Sequence, residues 1–189
     1  MLRWIIRALA ILVIAVAALV VLDFAELLVP VRGDNASMAT TIPACDGRVL
    51  AQGFTNRISD PDEGDVVAVH AAETDDRVIP DADADDRTLV LRVAAGPGQV
   101  IEGRDGTVFV DDVKLDDTTT RPFAPVTVPN EQYFLLGDNR SAAIDSRTFG
   151  PVLENAIFAR VFAVFWPLRD VSFRLDPESG PPPGPIACD

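Results

Sequence analysis

The sequence predicts a mostly β domain behind a single N-terminal transmembrane helix, and three observations carry that expectation. Residues from about Ile5 to Leu22 form an apolar run whose only charge is Arg7. Beyond residue 31 the apolar residues come in short β-branched and aromatic runs bounded by Gly, Pro and Asp, the pattern of strands joined by turns. No amphipathic helical periodicity follows the apolar run.

The run is long enough for an anchor. At ~1.5 Å per residue, about 18–20 apolar residues cross a bilayer as a helix. Arg3 and Arg7 precede the apolar core and Asp23 and Glu26 follow it. Positive charge stays on the cytoplasmic side, so the expected topology is a single pass with the N-terminus cytoplasmic and the rest extracytoplasmic, at the cell membrane. The competing reading is a cleavable secretory signal, which needs a shorter apolar core and a small-residue cleavage site in a polar stretch. Here Phe24-Ala25-Glu26-Leu27-Leu28-Val29 continues instead, which favours a retained anchor over residues 1–30.

The β domain is expected over residues 31–175. Its candidate strands are Arg48–Ala51, Asp65–His70, Thr88–Ala94, Thr107–Val110, Val113–Leu115, Gln132–Leu136 and Ala159–Phe165. Asp111-Asp112 reads as the turn of a hairpin, Glu63-Gly64 as a turn opening a strand, and Gly96-Pro97-Gly98 as a stop. Residues 72–87 are acidic and poor in apolar side chains, which predicts a solvated insertion loop. Residues 176–189 are rich in Pro and Gly and predict a disordered tail.

Charge and rare residues narrow the function classes. The net charge of −13 and the absence of a basic stripe argue against nucleic acid as a partner. Cys45 and Cys188 form no CxxC, and with one histidine in the chain no metal site is expected. In an oxidising compartment the two cysteines could pair; two separate thiols fit equally well. No cofactor is expected, and the oligomeric state is left open. Lys114 is the only lysine in the sequence.

Four segments, in order, resemble the boxes of type I signal peptidases. Asn35-Ala36-Ser37-Met38-Ala39-Thr40-Thr41-Ile42 resembles S-x-S-M-x-P-T-L, a short loop after the anchor. Asp62-Glu63-Gly64-Asp65-Val66-Val67 resembles the G-D-V-V strand. Leu91-Arg92-Val93-Ala94-Ala95-Gly96-Pro97-Gly98-Gln99-Val100 resembles K-R-V-x-G-x-P-G-D-x-V. Gly137-Asp138-Asn139-Arg140, with Asp145-Ser146-Arg147 and Gly150, resembles G-D-N-R-x-x-S-x-D-S-R-x-x-G. The ending Phe165-Trp166-Pro167-Leu168 is also familiar from that family. The fourth segment is the specific one, and the joint order spans roughly residues 5 to 168.

The resemblance implies a domain of coiled antiparallel sheets resting on the lipid bilayer, and a serine endopeptidase that removes signal peptides from exported preproteins with small residues at −1 and −3. It implies a Ser-Lys dyad, in which a lysine kept neutral by burial takes the proton of the attacking serine. Ser37 matches the nucleophile. Leu91 stands at the lysine position, and leucine accepts no proton. Arg92 stays protonated at any working pH. His70, the only histidine, ends a neighbouring strand and is the remaining candidate for a substitute base. Asn35 replaces a family serine of the oxyanion hole, where its side-chain N–H could donate beside the Ser37 backbone N–H.

Ala143 replaces the serine that orients the family lysine, so both members of that pair are lost together. Gln99 and Thr40 replace the family's Asp and Pro. Asp145 and Arg147 match a supporting ion pair, and Gly137 with Asp138 match a turn that brings Asn139 and Arg140 against the site. The alternative reading is a catalytically impaired pseudo-peptidase that binds exported segments or a membrane partner.

Overall fold

The computed structural model describes residues 28–31, 35–43, 47–53, 60–70, 88–173 and 175. Most of the expected anchor, the acidic segment 72–87, Cys45, Cys188 and the tail from 176 lie outside the described residues. Among the described residues no helix is long and apolar enough to cross a membrane.

Eleven strands among these residues form two antiparallel sheets. They are β1 (Leu28–Val31), β2 (Arg48–Gly53), β3 (Val66–His70), β4 (Thr88–Ala95), β5 (Val100–Arg104), β6 (Thr107–Val110), β7 (Val113–Lys114), β8 (Phe123–Thr127), β9 (Gln132–Leu136), β10 (Val152–Leu153) and β11 (Ile157–Trp166). The large sheet runs β1-β2-β11-β3-β4-β9-β10 and the small one β7-β6-β5-β8. The expectation of a mostly β, antiparallel architecture therefore stands. The one α-helical segment, α1 (Ser146–Phe149), is a single turn.

Strand alternation divides the core. Successive side chains point to opposite faces, so Val66, Ala68 and Val90 pack on one face of the large sheet with Met38, Ile42, Val49 and Val161. Val67, Val69, Leu89, Leu91 and Val93 pack on the other with Tyr133 and Leu135. A third cluster, including Ala95, Ile101, Val108, Phe134 and Leu136, joins the two sheets.

Every run read as a strand is one, with ends shifted by no more than two residues. Four strands were not read. Leu28–Val31 pairs with Leu50 and its neighbours on β2, so the sheet begins inside the apolar stretch assigned to the anchor. β8 contains Pro125, which cannot donate to a ladder; it lies at an edge, and the register shifts between the Ile101 and Gly103 rungs opposite it. β5 is interrupted by Gly103, and β10 is two residues long. The Asp111-Asp112 turn is present, and both residues have positive φ, 48° and 66°, as a type I′ hairpin turn requires.

Gly103 is a site of close approach between β5 and β8. A Cβ there would lie 2.5 Å from the Phe123 ring and 3.0 Å from the Arg121 carbonyl. Overpacking of this kind costs about 1–3 kcal/mol. Gly103→Ala is expected to lower unfolding free energy by about that amount in urea titration; an unchanged midpoint would mean that the ring moves aside freely.

Candidate active site

Ser37 sits in a 3-10 turn, Asn35–Met38, that leaves the sheet between β1 and β2. Apolar packing fixes the turn. Met38 and Ile42 are fully buried in the cluster on the Val66/Val90 face, and the amides of Thr41 and Ile42 both donate to the Met38 carbonyl, at 2.8 and 2.7 Å. Ser37 itself is only 4% exposed.

The turn rests on the segment that follows β9. The Asn139 amide donates to the Ser37 carbonyl at 2.9 Å. Gly137 makes this approach possible, because a Cβ there would lie 2.6 Å from the Ser37 carbonyl oxygen and 2.3 Å from the Ala143 methyl. The loop residues 37–42 and the segment 137–139 are therefore packed backbone to backbone, one hundred positions apart in sequence.

Asp138 is the polar centre of this contact and is 4% exposed. Its carboxylate accepts from Arg92 Nε at 2.8 Å, from Arg92 Nη2 at 2.7 Å and from Thr41 Oγ1 at 2.5 Å. The fork of a guanidinium suits two parallel bonds to one carboxylate. Arg92 also donates to the carbonyls of Gly64 and Leu175. One buried carboxylate thus ties the Ser37 loop to β4, while Arg92 ties β4 to the turn before β3.

Asp145 is a second, fully buried carboxylate. It caps α1 by accepting from the Arg147 amide, pairs with Arg147 Nε and Nη2 at 2.8 and 2.7 Å, and accepts from the Gly137 amide at 3.0 Å. Ser146 Oγ accepts from the Leu135 amide at 2.9 Å. Arg140 Nε donates to the Gly137 carbonyl at 3.0 Å. Both backbone groups of Gly137 are therefore held by charged side chains from the residues just after it.

Leu91 and Arg92 point to opposite faces of β4. Arg92 reaches Asp138 and the Ser37 loop. Leu91 is fully buried in the apolar cluster of the other face, with Leu89, Val93 and Leu135. His70 is exposed, pairs with Thr88 across β3 and β4, and stacks on Phe158 with centroids 4.2 Å apart. Its rung is four residues from that of Arg92, about 13 Å along the strand. Lys114, in β7, pairs with Asp117 and holds that carboxyl below the usual carboxylate range. Gln99 accepts from the Gly96 amide at 2.6 Å and donates to Glu63, so its side chain closes the β4–β5 turn. Thr40 Oγ1 is buried with no hydrogen-bond partner.

The profile of the family described as "Signal peptidase, peptidase S26" matches residues 1–166. The chain belongs to that family. It is 29% identical to signal peptidase IB of Staphylococcus aureus over 95% of this chain and 96% of that protein. It is 28% identical to a probable signal peptidase I-2 of Synechocystis sp. and 30% identical to the chloroplastic thylakoidal processing peptidase 1 of Arabidopsis thaliana, over 75% and 81% of this chain. The chain spans less than two thirds of those two relatives, 65% and 46%. Among solved structures, a signal peptidase I of Enterococcus faecalis is 25% identical, over 53% of this chain and 96% of that one, with a TM-score of 0.42.

The sequence pattern of this signal peptidase family member pointed to the residues that converge here, but not to every partner. Thr41 was visible only as a motif letter, although its hydroxyl is what joins the Ser37 loop to Asp138. Ser146 was likewise a letter between Asp145 and Arg147. Asp116 and Thr120 carried no motif signal; they bind Arg140 and Arg147 from the other sheet.

Two substitutions test the geometry. In Gly137→Ala the new methyl meets backbone, which cannot swing aside, so a loss of about 1–3 kcal/mol or more is expected, with near-complete loss of any Ser37-dependent activity. Unaltered denaturation and activity would show that this contact is not tight. Thr40→Val removes a buried, unpaired hydroxyl at nearly constant volume and is expected to raise stability by about 1 kcal/mol; a lower melting temperature would mean that the hydroxyl has a partner in solution.

Proposed function

We propose that this chain is a membrane-anchored signal peptidase that cleaves exported preproteins after small residues at −1 and −3. The anchor is the apolar segment before β1, with the N-terminus cytoplasmic and the β domain on the outer face. Ser37 is the nucleophile, and Asn35 with the Ser37 backbone N–H are the oxyanion donors. The observation that carries the reading is the docking of the Ser37 turn on Gly137–Asn139, clamped by Asp138 through Thr41 and Arg92. It brings the first, third and fourth family-like segments to one place around one nearly buried serine.

The weak link is the proton acceptor. A serine hydroxyl needs a base within hydrogen-bond reach. At the lysine position Leu91 offers none, and its apolar surroundings supply no titratable neighbour from β4. His70 would have to leave its stack on Phe158 and travel along the sheet. Turnover without the usual base is expected to be slow, because the oxyanion hole and substrate binding alone leave roughly 10³–10⁴-fold over water.

The test uses the full-length chain in detergent with an Ala-x-Ala peptide. Slow cleavage abolished by Ser37→Ala is expected, with His70→Ala at the wild-type rate. Leu91→Lys would restore an amine at the lysine position, where burial favours its neutral form; a rise in kcat of at least tenfold is expected if that position faces Ser37, and no rise would show that it does not. A silent wild type activated by Leu91→Lys would show that the missing amine alone stops turnover. If neither protein cleaves, the peptidase assignment fails. A tenfold loss in His70→Ala would make the imidazole the base.

A further inference from the structure

The small sheet is remote from Ser37 in sequence, yet one of its connections reaches the segment on which Ser37 rests. We propose that Asp116, in the β7–β8 connection, is a positioning residue: acting through Arg140, it fixes the Gly137 carbonyl and so the Gly137–Asn139 platform. The functional meaning of this role rests on the reading of Ser37 as the nucleophile.

The geometry around Arg140 supports the assignment. Its side chain is 4% exposed. Nε donates to the Gly137 carbonyl at 3.0 Å and Nη2 to Asp116 Oδ2 at 2.5 Å, while Nη1 is buried with no hydrogen-bond partner. Among the described residues Asp116 is the one carboxylate paired with this guanidinium. A buried cation with a single anionic partner depends on that partner for its position. If Asp116 loses its charge, Arg140 must find water or another acceptor, and its hold on Gly137 loosens.

The same connection grips the other side of Gly137. Thr120, 6% exposed, accepts from Arg147 Nη1 at 3.0 Å and is itself fixed by its amide donating to the Gly106 carbonyl. Arg147 pairs with Asp145, which accepts from the Gly137 amide. The carbonyl of Gly137 is thus referenced to Asp116, and its amide to Thr120. The Asp116–Arg140 pair lines a cavity of about 580 Å³, together with Thr118 and Leu136. Neighbouring Asp117 is exposed and bound to Lys114, which makes it a control of equal charge.

The experiment is amide hydrogen exchange by NMR on the full-length chain in detergent, read at the Asn139 amide that donates to the Ser37 carbonyl. Asp116→Asn is expected to accelerate exchange at Asn139 at least tenfold, with Val67 and Val90 in the central strands unchanged. Asp116→Glu should keep the protection, and Asp117→Asn should match wild type. Unchanged exchange at Asn139, or an equal rise at every amide, would overturn the proposal. In whichever form cleaves peptide, wild type or Leu91→Lys, Asp116→Asn should lower kcat at least threefold and leave KM unaltered; a change confined to KM counts against the proposal. If no form cleaves, the peptidase reading falls while the exchange result still decides the positioning role.

Discussion

The arrangement around Ser37 depends on one buried carboxylate. Asp138 receives both arms of the Arg92 fork and the Thr41 hydroxyl, so it satisfies groups from the Ser37 loop and from β4 at once. Breaking a buried ion pair leaves an uncompensated charge and costs about 3–5 kcal/mol, more than a surface pair contributes. The Ser37 loop's apolar contribution to the core is limited to residues such as Met38 and Ile42, which hold one side of the turn. The other side is held by Asp138 and by the backbone contact at Gly137.

This division of labour explains why adjacent positions on β4 have different fates. Arg92 lies on the face that meets the loop, and its charge is needed there. Leu91 lies on the opposite face, in an apolar cluster with Leu89, Val93, Leu135 and Tyr133. A lysine in that setting is stabilised only as a neutral amine, because burial penalises its charged form. A leucine meets no such penalty and fills the space with favourable contacts. The Asp138 and Asp145 clamps stand on charged groups of their own and need nothing from Leu91.

Much of the fold was legible because β-branched and aromatic runs, cut by Gly, Pro and Asp, record strands directly. Val66–His70 and Thr88–Ala95 were readable for that reason. Phe123–Thr127 was not, since Pro125 argues against a strand and only edge placement reconciles the two. Leu28–Val31 was hidden because an apolar strand and the end of an apolar anchor look alike. For the site, Ser37, Asp138, Asn139 and Arg147 were legible through the resemblance of their segments to those of the family. The Arg140–Asp116 pair was not, because it joins two loops 24 positions apart with no periodicity linking them. Local pattern encodes elements; tertiary pairing between loops leaves no such trace.

The order of strands in the large sheet sets a timetable for assembly. β11, the last strand among the described residues, lies between β2 and β3, so the β1–β2 and β3–β4 pairs each keep one open edge until residues 157–166 have left the ribosome. At about 5–20 residues per second, that interval lasts several seconds. Non-local pairing of this kind is intrinsically slow to form. The large sheet, and with it the contact between the Ser37 turn and Gly137–Asn139, is therefore completed only after residues 157–166 have been made.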